Sequence, residues 1–525
     1  MRWKRKSQNQ EEEKRLNNLA NIINKSILSA ITIQRMLFYL LLIFAPYAFS
    51  SNTKSGFNAS LLKAQNDVYH LRLTEAEITL SNEIKNRPEN ISAYHLQELS
   101  FFLKAFISET SKDFVEYEKN RIVAEKKITL LPSGDQYRPF MLSELCLHKG
   151  LLLLKSANYT GAALSFKDAY SWCKKSIEKH PDFLPAYKGI ALLESAAAHL
   201  GPSFHWVIKL SGINPNNQHS VSQTLKFIQS PQIGELEWMR RDAAFMMGYI
   251  HWQLNQKTLA WKLIQSNTED YPTNPLSLYF HSVFAHKSGM NDHCLKSLSS
   301  YSARKNEIQI PFLYYLKGLC QLQKLDTNCL RSFQQFLGTH QGMHYIKACH
   351  LKMAWGHLIF GRLSQFHHSM SMVKSQGQSI TEEDKQALIE ARRKTIPHPK
   401  LLIARLLFDG GYNRLALQYI QPLKASDFHS ALEKTEYCYR KGRIYQSLNQ
   451  NTLAIAFYEA AISTGKILEV YYASYACIYI AEINEDQGNR TLALKYYKLA
   501  TSFKNNSEYV QSIEQKAASG IRRLK

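Results

Sequence analysis

One spacing of small and aromatic residues limits what this chain can fold into. In EYCYRKGRIYQSLNQNTLAIAFYEAAI, Gly442 is followed by Tyr445, Ala454, Tyr458 and Ala461 at +3, +12, +16 and +19. A polar turn, Asn449–Asn451, divides two runs of helical period. Small residues at Gly442, Ala454 and Ala461 let two antiparallel helices approach closely, and the aromatics fill the space beside them. The offsets recur in Gly150, Leu153, Ala162, Phe166 and Ala169, and again in Ala481, Ala493, Tyr497 and Ala500. Gly248 with Ala260 repeats part of the pattern, with Pro272 twelve residues further on; weaker copies centre on Gly189, Gly318, Gly356 and Ala404. Leu330 stands where the Gly318 unit should carry Ala, and Asn484 where the last unit should carry Tyr.

The chain has 525 residues, more than one hydrophobic core supports, and Pro (15) and Gly (22) are sparse. Growth by addition of helical units answers both observations. The offsets resemble those of the tetratricopeptide repeat, over roughly residues 60–515. That resemblance implies an all-α fold, a right-handed α-solenoid of antiparallel helix pairs. Two irregular insertions break the rhythm. The expected layout is 1–50 a signal peptide or membrane anchor, 51–60 a linker, 61–200 the N-terminal repeats and 201–235 an irregular insertion. It continues with 236–365 as central repeats, 366–398 as a loop and charged helix, 399–515 as C-terminal repeats and 516–525 as a basic tail.

Residues 36–49, MLFYLLLIFAPYAF, follow a basic stretch ending in Arg35, and Ala48 and Ser50 suit the −3 and −1 positions of a signal-peptidase site. The run is short for a membrane span, and Pro46 interrupts it. Export to a bacterial envelope, periplasmic or outer-membrane-associated, is the expectation. The eight cysteines form no C-x-x-C pair and no disulfide framework; most fall in apolar helical patterns, as buried small hydrophobes do.

The formal net charge is +22, and the eight Lys/Arg of residues 1–50 face only three Glu, so the body is basic in its own right. Such a body suits acidic protein surfaces, anionic lipid or glycan. Without an RGG run or zinc-finger spacing, and with dispersed Lys/Arg, nucleic acid is not an expected partner. No phosphate loop, G-x-S-x-G or H-E-x-x-H occurs. His340 and His344 share a helical spacing, with Cys349, His350 and His357 nearby, but no further ligand follows at a recognised interval. No catalytic residue, cofactor or metal is therefore assigned.

In the family that the repeats resemble, the first helix of each pair lines a concave groove. Carried over unit by unit, its ligand-facing offsets give Asp242, Phe245, Tyr249 and Trp252 around Gly248. Around Gly318 they give Phe312, Tyr315, Leu319, Leu322 and Gln323, and around Gly442 Glu436, Tyr439, Arg443, Gln446 and Ser447. Aromatics and Arg dominate interface energetics because they bury large areas and still hydrogen-bond. The expectation is a non-enzymatic scaffold or adaptor of the envelope that binds a protein or peptide in the groove. The alternatives are an anionic glycan-binding or enzyme-accessory envelope protein and, if the N-terminal run is neither cleaved nor inserted, a cytosolic regulator.

Overall fold

The computed structural model describes residues 58–198, 205–215, 218–229, 237–254, 256–299, 301, 306–393, 395–503 and 509–524. The export signal expected at 1–50 lies outside them, as does most of the 51–60 linker. Among the described residues there is no strand, and no helix is long and apolar enough to cross a membrane.

Helices follow one another in antiparallel pairs. The first are α1 (Ala59–Tyr69) with α2 (Leu73–Asn86), α3 (Ile91–Ser108) with α4 (Ser111–Ile128), and α5 (Tyr137–Lys155) with α6 (Tyr159–Lys179). Next come α7 (Pro185–Ala198), the short α8 (His205–Ser211) and α9 (Gln218–Gln229); α9 pairs with α7, while α8 packs on α6. The central pairs are α10 (Glu237–Gln253) with α11 (Lys257–Ser266), α12 (Pro275–Lys287) with α13 (Asn291–Leu298), α14 (Phe312–Gln323) with α15 (Cys329–Thr339), and α16 (Ile346–Ile359) with α17 (Leu363–Ser375). A single helix, α18 (Glu382–Arg392), precedes α19 (Pro399–Asp409) with α20 (Asn413–Ile420). The last pairs are α21 (Ala431–Ser447) with α22 (Asn451–Gly465) and α23 (Tyr472–Asp486) with α24 (Arg490–Ala500), closed by α25 (Val510–Arg523).

The repeated offsets have a direct steric meaning. A Cβ on Gly442 would lie 2.6 Å from the Tyr458 ring, one on Gly150 2.5 Å from Phe166, and one on Gly248 2.7 Å from Ile264. In each pair the large residue stands sixteen positions after the glycine, so the second helix drives a side chain into the gap that the first leaves. The Gly318 unit departs by one residue in its second helix. Gly318 faces Phe333, with a Cβ distance of 2.7 Å, and Cys329, fully buried, takes the small-residue place that the spacing assigned to Leu330. In the last unit Ala481, Ala493, Tyr497 and Ala500 are all buried, and Asn484 survives in the Tyr position by donating to Ile480 O at 2.8 Å.

Three expected segments change shape. The 201–235 insertion is not simply irregular: it supplies α8 and α9, and α9 is tied to α7 by Ser220 Oγ, which donates to Glu194 at 2.6 Å. In 366–398 the helix α17 runs on to Ser375, so the loop shrinks to the few residues before α18. Pro399 marks the boundary from its far side, opening α19 at its first position, where the missing N–H is no loss. The 516–525 tail is largely the end of α25, with Ala517 buried and Arg523 paired to Glu485 at 2.7 Å.

The row of pairs coils back on itself. Ile308 N–H donates to Leu71 O at 2.9 Å, and the His344 ring bonds Lys155 O at 2.9 Å. Further on, Asn291 donates to the Tyr412 hydroxyl at 3.1 Å, and that hydroxyl donates to Asp292 at 2.8 Å. There the turns at Gly289 and Gly411 meet backbone to backbone: a Cβ on Gly411 would overlap Gly289 O. Glycine at 411 permits this approach, while Gly289 serves its left-handed φ of 76°. The coil thus encloses an interior faced by α12, α14, α16, α18 and α19 and by the start of α23.

Candidate functional site

That interior holds a cavity of about 310 Å³. Phe312 and Tyr315 of α14 and Tyr345 at the entry to α16 form one panel, with ring centroids 5.0–5.7 Å apart. Tyr471 and Tyr472, which stack at 4.5 Å, and Trp355 line other parts of the wall. The single helix α18 turns Glu382, Glu383, Gln386 and Glu390 toward the cavity, spaced so that they share one helical face. The interruption of the repeat therefore supplies an acidic wall to the groove.

Its placement is fixed by Asp384, fully buried on the same helix. Tyr345 N–H and Ala348 N–H donate to its two oxygens at 2.8 and 2.9 Å, so α18 caps the start of α16. Burial pushes the Asp384 carboxyl up to about 6, against the pull of Thr381 and these backbone donors.

The opposite wall is cationic. Lys352 Nζ lies 3.4 Å from the Trp355 ring centre and Arg405 Cζ 4.4 Å from the same centre. Trp355, 2% exposed, is held by Nε1 donating to Glu390 at 2.6 Å. Burial first, and Arg405 second, bring the Lys352 amine down to about 7 despite Glu390, Asp409 and Glu383. Burial, with Glu383 adding to it, holds the Tyr315 and Tyr345 hydroxyls far above the usual phenol range. Aromatic faces and charges of both signs thus meet in one cavity, an arrangement suited to a ligand that is partly apolar and partly charged.

The residues expected to face a partner divide. Tyr315 lines the cavity, with Phe312 and Leu319 from the same unit. Phe245 and Tyr249 do not line the cavity: Phe245 packs on Phe280 with ring centroids 4.4 Å apart, and Tyr249 accepts from Gln253 at 2.6 Å. Trp252 is half-buried with Lys287 over its ring at 4.8 Å, and Asp242 lies on α10 with its side chain outside the described set. Around Gly442, Tyr439 is buried 5.1 Å from Tyr472, Glu436 pairs with Arg440 at 2.9 Å and Arg443 stacks on Tyr479 at 3.9 Å. Gln446 accepts from the Tyr458 hydroxyl at 2.6 Å, a contact within its own pair. These four stand beside the cavity wall, not on it.

Lys352, Trp355, Arg405, Tyr471 and Tyr472 escaped the sequence reading. Lys352 and Trp355 stand four and one before Gly356, off the carried offsets, and only the weak unit around Gly356 marked their helix. The histidines considered for metal serve otherwise: His344 Nδ1 and His340 Nε2 lie 3.3 and 3.8 Å from the Glu109 carboxylate. Among the described residues no group of three or more His, Cys, Asp or Glu could hold a metal ion.

Comparison with known proteins gives the following. The profile of the tetratricopeptide repeat family matches residues 435–464. No curated protein matches the chain by sequence. Among solved structures, the human IFIT1 dimer with PPP-AAAA is similar at 13% identity, covering 89% of this chain and 94% of that one, with a TM-score of 0.33. The IFIT1 monomeric mutant with Gppp-AAAA is 14% identical over 96% and 100%, with a TM-score of 0.31. The APC/C hetero-tetramer Cut9-Hcn1 is 12% identical over 94% and 99%, with a TM-score of 0.25. The matched residues are those of α21 and α22, the pair in which Gly442 meets Tyr458, and the same contact recurs along the chain. The chain thus carries a tetratricopeptide repeat at residues 435–464, within an all-α row of antiparallel helix pairs.

Proposed function

We propose that this chain is a non-catalytic scaffold of the cell envelope that holds a protein or peptide segment in the interior of its coil. The observation that carries the reading is the cavity between Tyr315, Trp355 and Tyr472, where aromatic faces lie between the acidic face of α18 and the cations of α16 and α19. A preformed wall of rigid side chains lowers the ordering cost of binding an extended segment, and mixed charge suits a polypeptide better than a uniformly anionic polymer.

A photo-crosslinking residue placed at Leu319, which lines the cavity, tests the reading. A discrete polypeptide adduct is expected in the wild type and should vanish in Tyr315→Ala/Tyr472→Ala with helical circular dichroism unchanged. Adducts that persist in the folded double variant would remove the cavity from partner binding. The net charge of +22 favours a second reading, an anionic glycan ligand; retention on anionic polysaccharide that falls steeply with salt, without a polypeptide adduct, would select it. Export rests on residues 36–50. N-terminal sequencing that finds an intact Met1 in a soluble fraction would replace it with the cytosolic regulator reading.

A further inference from the structure

We propose that Lys352 is a nucleophilic amine that captures carbonyl compounds as an imine inside the cavity, with Arg405 receiving an anionic group of the same ligand. The proposal does not depend on the polypeptide reading, since it requires only that a small molecule can enter the cavity.

The geometry is that of an amine without a counter-charge. Among the described residues no hydrogen bond or ion pair to Lys352 is found; its contact is the Trp355 ring, 3.4 Å from Nζ to the ring centre. Lys352 is half-buried, whereas the buried Lys155 and Lys188 have counter-ions: Lys155 meets Glu109 at 2.9 Å and Lys188 meets Glu144 at 3.1 Å. Beside Lys352, on the same indole, stands the Arg405 guanidinium. Packing a lysine amine on an aromatic face beside a second cation is a recognised way to enrich its neutral, nucleophilic form near neutral pH.

The charged groups around it oppose one another. On α19 are Arg405, which disfavours the ammonium, and Asp409, which favours it; on α18 Glu383 and Glu390 favour it. His286 and Lys287 of α12 line the same cavity, and burial with Lys287 beside it lowers the His286 ring to about 4, so it stays neutral. Burial outweighs the carboxylates and brings the Lys352 amine to about 7. The indole face favours the ammonium and so works with the carboxylates against the effect of burial. The amine still titrates far below a solvent lysine, whose value is about 10.4.

The chemistry needs no oxidant and no second protein. The neutral Lys352 nitrogen attacks the carbonyl carbon and a C–N bond forms. The carbonyl oxygen takes up two protons, the equivalent of those lost by the amine through solvent, and leaves as water when the C–O bond breaks. The product is an imine between Lys352 and the ligand. An aldehyde with a flat body and an acidic group fits the wall, its ring against the aromatic panel and its anion on Arg405.

Pyridoxal 5′-phosphate is a suitable probe, since it carries an aldehyde, a ring and an anion. The full chain is exposed to it for graded times, reduced with borohydride and mapped by peptide mass spectrometry. At pH 7 the Lys352 peptide should be labelled on the order of tenfold to a hundredfold faster than the median lysine, given its larger neutral fraction. Its rate should level off just above neutral pH, while those of surface lysines keep rising. K352R should remove the fast adduct, and R405Q should move the midpoint to higher pH and slow the reaction at pH 7. Labelling of Lys352 no faster than the median, or a rate still rising above pH 9, overturns the proposal. The wild-type pH profile reads this without any variant, so failure of K352R or R405Q to fold leaves the test intact.

Discussion

The carboxylate of Glu109 accepts a hydrogen bond from the backbone N–H of His344 at 3.1 Å, although 235 positions separate the two residues. The same oxygen accepts from Met343 N–H at 3.0 Å, and the other lies 2.9 Å from Lys155 Nζ. A Cβ on Gly342 would collide with Glu109, so glycine is what lets the central turn reach the end of α3. Each pair of a solenoid ordinarily touches only its neighbours. Here one buried carboxylate joins the N-terminal pairs to the centre, alongside the bonds of Ile308 N–H to Leu71 O and of the His344 ring to Lys155 O.

Replacing Glu109 with Gln should therefore cost about 3–5 kcal/mol in urea unfolding at pH 7, because it leaves Lys155 buried without its counter-ion. Glu109→Gln/Lys155→Met should recover part of the loss. Burial alone would raise the Glu109 carboxyl, but Lys155 first, with His344 and His340, outweighs it and holds the group well below the usual carboxylate range. A folded value below the unfolded one gives stability that is present above about 4.5 and is lost as pH falls through the folded value. The gap between wild type and Glu109→Gln should thus be constant near neutrality and shrink below pH 4.5. A gap that widens on acidification would contradict the clasp.

The contact of Gly442 with Tyr458 makes a second claim measurable. In an exposed helix Gly→Ala gains about 1 kcal/mol in propensity. At Gly442 the new methyl would sit 2.6 Å from the ring, and overpacking costs about 1–3 kcal/mol. The expected net effect is a loss of about 1–2 kcal/mol. Gly338, exposed in α15 with nothing within 4 Å of an added Cβ, is the control; Gly338→Ala should stabilise by up to about 1 kcal/mol. Equal effects at the two sites would mean that the close approach is not what selects glycine at 442.

Several turns between paired helices pass through one left-handed residue. Glycine fills the place at Gly289, Gly361, Gly411 and Gly488, but Ala157 holds it between α5 and α6 with φ of 62°. An L residue costs roughly 1–2 kcal/mol there, and glycine returns part of that gain by loosening the unfolded chain. Ala157→Gly should raise stability by about 0.5–1 kcal/mol, read as a shift in denaturation midpoint with unchanged slope.

The repeat was legible because its rule is local: sixteen residues from a glycine to the ring above it span one pair, and sequence offsets translate into contacts. The Gly318 unit shows the limit, since its second helix is shifted by one residue in register, which moves the small position from Leu330 to Cys329. The site was less legible. Tyr315 was reached because its unit keeps the family's offsets, but Phe245 and Tyr249, at equivalent offsets, are packed by α12, the next first helix of the row. Whether such a position faces a ligand or a neighbour depends on how tightly adjacent pairs pack, which no single unit encodes. Trp355, Arg405 and Tyr472 come together across α16, α19 and α23 through contacts between distant pairs, such as Asn291 with Tyr412, that no periodic pattern marks.

Cysteine offers a last test, and it bears on the compartment. The sequence spacing gives no disulfide framework, yet Cys294 of α13 and Cys320 of α14 lie fully buried with Sγ atoms 3.5 Å apart. Burial, with Cys294 beside it, holds the Cys320 thiol well above its ordinary range, so exchange is slow once the core has formed. A cross-link must then arise during folding, in a compartment that supplies a disulfide oxidant. If the chain is exported, alkylation after denaturation should find six of its eight cysteines free and a Cys294–Cys320 peptide pair released by reductant. Protein retained in the cytosol should yield all eight. Eight free thiols in protein recovered from an oxidising envelope would show that the two helices hold the sulfurs apart, and would leave residues 36–50 as the sole argument for export.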